Sequence, residues 1–275
     1  MRDETDSLAK TFIKWICKLS IVLFSLNSVN LYAASSPQIY EELKQINHQQ
    51  HLFFEHNKLN LSGLSLLGLL VDLGIREQSS LTPQEQANID TTDEELTLAL
   101  YHISSLSNGN QLKLAANTFE NFETALYNNT LPQYIDDAMP QFNAVIHLRE
   151  AINKYKRMKD IPWPKLSDSF NPKVGQAHIE VKELRRKLTI LNDLRPSTIS
   201  KHRLHIFDQT IVIGLKHFQQ RNGFINSGKL DEHTKSALNQ SMEDRIKKLQ
   251  VNLWRWLSLP RTPPPQYVMV NIPAY

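Results

Sequence analysis

The groups in this 275-residue sequence best suited to act as nucleophiles, bases or metal ligands are one cysteine, ten histidines and twenty-eight carboxylates. The sole cysteine, Cys17, lies between Ile16 and Lys18, ahead of an apolar run over residues 19–26. If export removes that segment, no thiol remains, which excludes disulfides, cysteine-ligated metals and cysteine nucleophiles from the rest of the chain. His48, His51 and His56 fall close together, and His48 and His51 could share a helix face as metal ligands. No carboxylate-bearing ligand motif accompanies them, so surface histidines are the expectation and no metal or other cofactor is implied. His202 and His205, beside Lys201 and Arg203, suit either an anionic polymer or a solvated loop. Lys182, Arg185, Arg186 and Lys187 read as the exposed side of an amphipathic helix. Trp254 and Trp256 could stack on sugar rings, but alternate helical residues do not share a face, so at least one is expected to pack inside.

The elements that would position these groups are mainly helical. With 41% hydrophobic and 21% charged residues the composition is that of a globular protein, and eight glycines among many leucines favour helices. A formal net charge of +3 is too small and too dispersed to mark a nucleic-acid footprint, so no nucleic-acid partner is expected. Residues 37–159 carry helical periodicity: Ile39, Leu43 and Ile46; then Leu61, Leu64, Leu67, Leu70 and Leu73 around Gly63 and Gly68. A loop at residues 79–83 precedes a helix over 94–106 behind a Thr92/Asp93 cap, and further helices are expected at 112–126, 131–139 and 142–158. Residues 160–175, with Pro162, Pro164 and Pro172 around Trp163, read as an extended linker.

Residues 176–241 have the tightest pattern. Ala177, Val181, Leu184, Leu188 and Leu191 form one helical seam, and Ile211, Leu215 and Phe218 form a second, stopped at Asn222-Gly223. A turn at Asn226-Ser227-Gly228, a tucked Leu230 and an Asp231 cap open a third short helix with Thr234, Ala237 and Leu238. Residues 242–275 read as a helix carrying the two tryptophans, a proline-rich turn (Pro260, Pro263, Pro264, Pro265), and a lone C-terminal strand. That strand is marked by the alternation of Tyr267, Val268, Met269, Val270, Asn271 and Ile272, with almost no upstream sheet to pair with. At the other end, Lys10, Lys14 and Lys18 precede the apolar run, and Ala33, Ala34 and Ser35 offer small residues for cleavage, so residues 1–33 read as a signal peptide. An anchoring helix is the alternative, given Phe12, Ile13, Trp15 and Ile16 and the acids Asp3, Glu4 and Asp6. A membrane partner follows only if the segment stays uncleaved.

The string Leu215 to Phe224 (LKHFQQRNGF), followed by Gly228-Lys229-Leu230-Asp231 and by residues 234–239, resembles the peptidoglycan-binding-like module of bacterial wall enzymes. Asn252-Leu253-Trp254-Arg255-Trp256-Leu257, Pro260 and Val270-Asn271-Ile272-Pro273-Ala274-Tyr275 resemble the junction into the catalytic domain of the large L,D-transpeptidases. Asp93-Glu94-Glu95-Leu96-Thr97, Tyr101, Gly109, Pro132, Pro140 and Trp163-Pro164-Lys165-Leu166 resemble the helical scaffold domain of that subfamily. The resemblance spans about residues 40–275.

What it implies is an exported protein of the periplasm or cell envelope, with peptidoglycan or its stem peptides, and other wall-synthesis proteins, as partners. In that family a cysteine thiolate activated by a histidine attacks a stem-peptide carbonyl. That machinery lies downstream of the Val-Asn-Ile-Pro strand, so no residue here inherits a catalytic role. The expectation is a mainly α chain: a helical scaffold domain, a small three-helix peptidoglycan-binding-like module and a lone strand, truncated before its catalytic domain and inactive. Gln219, Arg221 and Asn222 are the candidates for polar contact with glycan or peptide. A non-catalytic wall-binding or partner-binding protein, or the remnant of a broken gene, are alternatives that the DNA after the Tyr275 codon would separate. A transglycosylase or amidase bearing the same module would need catalytic carboxylates or zinc ligands, and no such set stands out.

Overall fold

The computed structural model describes residues 36–48, 50–106, 112–196, 203–257, 259 and 266. The expected signal peptide, Cys17, His202 and the expected strand at 267–272 lie outside the described residues. The protein is mainly α: eleven helices and one two-stranded hairpin make up the regular structure among the described residues. They form two compact units, Lys154–Lys247 and the described residues on either side of it.

The flanking unit begins with α1 (Ser36–Ile46), the hairpin β1 (Phe54–Glu55) and β2 (Lys58–Leu59), and α2 (Leu61–Asp72). The hairpin pairs Phe54 with Leu59 and Glu55 with Lys58, and its two-residue loop, His56-Asn57, has positive φ at both positions (49° and 60°). That is the type I′ geometry that matches strand twist. His56 is therefore a turn residue. Asn60 then joins the hairpin to α2: its carboxamide oxygen accepts from Gly63 N at 2.9 Å as an N-cap, while its Nδ2 donates to Leu52 O at 2.9 Å. α2 ends in a Schellman turn, with Gly74 at φ 72°, Ile75 N donating to Leu70 O and Gly74 N to Val71 O.

The remaining helices of this unit are α3 (Pro83–Ala87), α4 (Ile89–Leu106), α5 (Leu112–Tyr127), α6 (Leu131–Asp136) and most of α7 (Asn143–Lys156). α4 starts earlier than the expected Thr92/Asp93 cap, because Thr82 and Glu85 build a capping box on α3 that runs almost directly into it. Asp93 is consequently inside the helix and fully buried. Its carboxylate accepts from Leu52 N (3.0 Å), Phe53 N (2.8 Å) and Tyr40 Oη (3.1 Å), so one acid ties α1 and the pre-hairpin chain to α4. Leu66, Leu67, Leu70, Leu96, Leu100, Ile103 and Phe122 fill the core around that tie.

The second unit contains α8 (Val181–Ile190), α9 (Gln209–Arg221), α10 (Glu232–Asn239) and the start of α11 (Met242–Leu257). Val181, Leu184, Leu188 and Leu191 pack against Phe207, Ile211, Leu215, Phe218, Leu230 and Leu238 in one cluster. The expected first seam loses its leading member: Ala177 is exposed and makes an isolated antiparallel bridge with Ile206 instead of extending α8. Residues 161–175 form no helix or strand but turn at 168–169 and 174–175, and Leu166 (2% exposed) and Phe170 (1%) belong to the core cluster while Trp163 packs against it. The expected linker is a structural part of the unit.

A Cβ at Gly63 would sit 2.6 Å from Phe53 O, which accepts from Asn60 N and belongs to a residue whose own N–H is held by Asp93. Gly63→Ala is expected to destabilise the unit holding α2 by about 1–3 kcal/mol, the range for overpacking a rigid site. Denaturant unfolding checks this, with Gly68→Ala as the control, because a Cβ there meets nothing within 4 Å.

Candidate functional site

The sequence-selected residues Gln219, Arg221 and Asn222 occupy the last turn of α9 and its cap. Gln219 is fully buried. Its Oε1 accepts from Gly228 N at 2.7 Å, and its Nε2 donates to Lys229 O at 2.8 Å and Thr234 Oγ1 at 3.0 Å. Both ends of the carboxamide are thus committed to holding the 226–230 turn against α10. This corrects the expectation of a ligand contact, since no part of the side chain reaches solvent. Gly228 sits at φ 69° in that turn, and Asp231 accepts from Thr234 N at 2.8 Å to start α10. Hydrogen bonds to its carboxylate hold Asp231 below the usual aspartate range, Thr234 N being the largest contributor.

Arg221 makes a two-point bond to Asp193, Nε at 3.0 Å and Nη2 at 2.7 Å, and that pairing raises its already high pKa. Its side chain is 43% exposed, so the guanidinium still presents an edge to solvent. Asn222 Nδ2 donates back to Phe218 O at 2.7 Å. Arg221 and Asn222 lie side by side, but their first duty is to close α9.

The basic cluster on α8 divides. Lys182 is exposed and Arg186 pairs with Glu183. Arg185 and Lys187, expected at the surface, are buried. Arg185 donates to Thr210 Oγ1 (2.9 Å) and pairs with Asp208 (3.0 Å), the N-cap of α9, so it fixes the start of that helix. Lys187 Nζ donates to Leu238 O at 3.3 Å and lies 4.0 Å from the centre of the Trp163 ring. Trp163 Nε1 donates to the same carbonyl at 2.9 Å, and Arg245 Nη2 to Ala237 O. Three donors, two of them cationic, therefore converge on the C-terminal carbonyls of α10, where the helix dipole favours positive charge. Burial dominates the Lys187 ammonium and pushes its pKa down to about 8, with Arg186 and Arg245 adding to the effect and Glu183 opposing it.

Beside this cap lies an open groove of about 740 Å³, walled by residues 165–168 and the outer face of α10. Asn239 fixes one wall to the other, accepting from Leu166 N at 2.8 Å and donating to Leu166 O at 2.9 Å. A smaller pocket of about 380 Å³ lies around residues 169–178.

The other candidates have simple placements. His48 follows the end of α1 at φ 55°, so it does not share a helix face with His51. His51 Nε2 bonds Asp90 at 2.9 Å, and no group of three His, Cys, Asp or Glu that could hold a metal occurs among the described residues. The His205 carbonyl accepts from His178 N. Trp254 Nε1 donates to Leu73 O at 2.8 Å, and Trp256 lies 5.1 Å from the Phe142 ring, so both tryptophans pack within the flanking unit. Asp93, Glu94 and Glu95 are all raised above the ordinary carboxylate range, burial being the largest cause for each. No family model matches the chain, and a search of curated proteins gives no match either.

A lysine whose folded pKa is depressed costs stability while it is charged, and that cost is relieved as pH rises from the folded value toward the unfolded one. The unfolding free energy of the Lys154–Lys247 unit is therefore expected to rise between about pH 8 and the ordinary lysine value of 10.5. Lys187→Met is expected to remove that rise. Denaturant unfolding of both proteins across this range is the check, and parallel profiles would count against the assignment.

Proposed function

We propose that the chain is an exported, peptidoglycan-directed protein built like the non-catalytic part of a large L,D-transpeptidase. In this reading a helical scaffold is followed by a small three-helix module that engages the wall polymer or its stem peptides, in the periplasm or cell envelope. The observation that supports it is the set of positions taken by the residues carrying the resemblance. Phe218 is core, Gln219 clamps the turn at Gly228, Gly223 takes φ 71° after α9, Asp231 caps α10 at Thr234, and Asn239 holds Leu166. These motif residues each have a defined structural task, which is consistent with a recurring module.

Binding without turnover is the stronger form of this reading. The one cysteine of the sequence is Cys17, inside the segment read as an export signal, so residues 18–275 offer no thiolate for acyl transfer. An enzyme of another wall-directed class would need its own catalytic set. Among the raised carboxylates, Asp93 is committed to structure, its oxygens filled by Leu52, Phe53 and Tyr40.

The full chain is expected to be retained on purified sacculi above an unrelated exported protein of similar charge. It is also expected to give no L,D-transpeptidase turnover, with Cys17→Ser indistinguishable in both assays. Absence of retention would sink the wall-binding reading, and turnover would replace it with an enzymatic one.

A further inference from the structure

We propose that the groove between residues 165–168 and α10 binds a short extended peptide bearing a free ammonium at one end and a free carboxylate at the other. Both walls are built before any ligand arrives. Asn239 grips the N–H and the carbonyl of Leu166, and Lys235 Nζ donates to Asp168 O at 2.5 Å. Lys235 is 3% exposed and lies 3.6 Å from Glu232. Among the described residues its ammonium makes one hydrogen bond, so N–H groups remain for an acceptor in the groove.

The charges select the ligand. Lys165 and Lys235 line the groove together with Asp168, Glu232 and Asp244. A simple anion would meet three carboxylates and a simple cation two ammoniums, whereas a ligand carrying both signs complements both. The lining contains no aromatic ring on which a sugar could stack. Among the described residues, neither the Lys165 ammonium nor the Asp168 carboxylate has a partner, although they stand on the same wall. They are three residues apart in the chain, so their α-carbons are separated by at most about 10 Å, the order of length of an extended tripeptide. Lys165 would meet the ligand carboxylate and Asp168 its ammonium.

This site does not depend on the wall reading, which concerns retention on the polymer. The test uses the full chain and three probes: trialanine, its N-acetyl form and its C-terminal amide, followed by calorimetry and by the side-chain amide NMR signals of Asn239 and Gln240. Trialanine is expected to bind saturably and both capped forms at least tenfold more weakly. Lys165→Met should weaken trialanine to the level of the amide without further weakening the amide. Asp168→Asn should do the same with respect to the N-acetyl form. Both residues are exposed, so unchanged circular dichroism should confirm that the variants fold. Absence of saturable binding, equal affinity for capped and free peptide, or variant effects that ignore the caps would each overturn the proposal. Retention on sacculi without tripeptide binding overturns this groove alone, and the reverse result overturns the wall reading alone.

Discussion

The carbonyls of Ala237 and Leu238, in the last turn of α10, gather donors from three separate parts of the Lys154–Lys247 unit. Helix ends leave carbonyls without intrahelical partners, and a buried end must find donors elsewhere. Here they come from three directions in sequence: Trp163 from the proline-rich segment, Lys187 from α8 and Arg245 from α11. The proline-rich segment is held both ways: Leu166 and Phe170 enter the apolar core, and Trp163 joins the polar cap. Among the described residues, the same cap admits two buried cations without a carboxylate bonded to either. Helix-dipole charge and the faces of Trp163 and Tyr155 stand in for counter-ions. A carboxylate in their place would oppose the depression of the Lys187 pKa, as Glu183 already does.

The flanking unit depends on an analogous device of opposite sign. Asp93 is buried without a cation, and its charge is met by two backbone N–H groups and a phenol. Burial raises Asp93, and the Tyr40 hydroxyl is raised in turn, first by burial and then by the neighbouring carboxylate. Asn60 performs the matching task on the next stretch of chain by capping α2 and holding Leu52 O. The short hairpin survives with two residues per strand because both of its flanks are fixed by side chains from helices.

Periodicity made much of this legible. Leu184, Leu188 and Leu191, or Ile211, Leu215 and Phe218, recur at helical spacing, and all six are buried. The turn residues Gly223 and Gly228 and the Asp231 cap were legible for the same reason, since local backbone chemistry demands those types. What was not legible is the fate of polar residues. Lys187 and Lys182 look alike in sequence, and only the approach of Trp163 from a segment more than twenty residues away decides which is buried. Gln219 reads in sequence as a polar contact, but a glutamine one position past a core phenylalanine can turn inward when a glycine N–H lies within reach. Asp93 read as a helix cap because the capping box that starts the preceding helix lies further upstream, at Thr82. The one sequence signal for the α10 cap was a tryptophan flanked by prolines, a residue too large to leave exposed in a passive linker.

The central claim is that residues 160–170 belong to the same cooperative structure as α8, α9 and α10. Native-state hydrogen exchange at the Leu166 amide, which donates to Asn239 Oδ1, tests it most directly. If the claim holds, Leu166 exchanges with the same opening free energy as the Leu188 and Leu215 amides in the middle of α8 and α9. Rapid exchange at Leu166 while those two amides stay protected would contradict it, and would return the segment to the role of a linker.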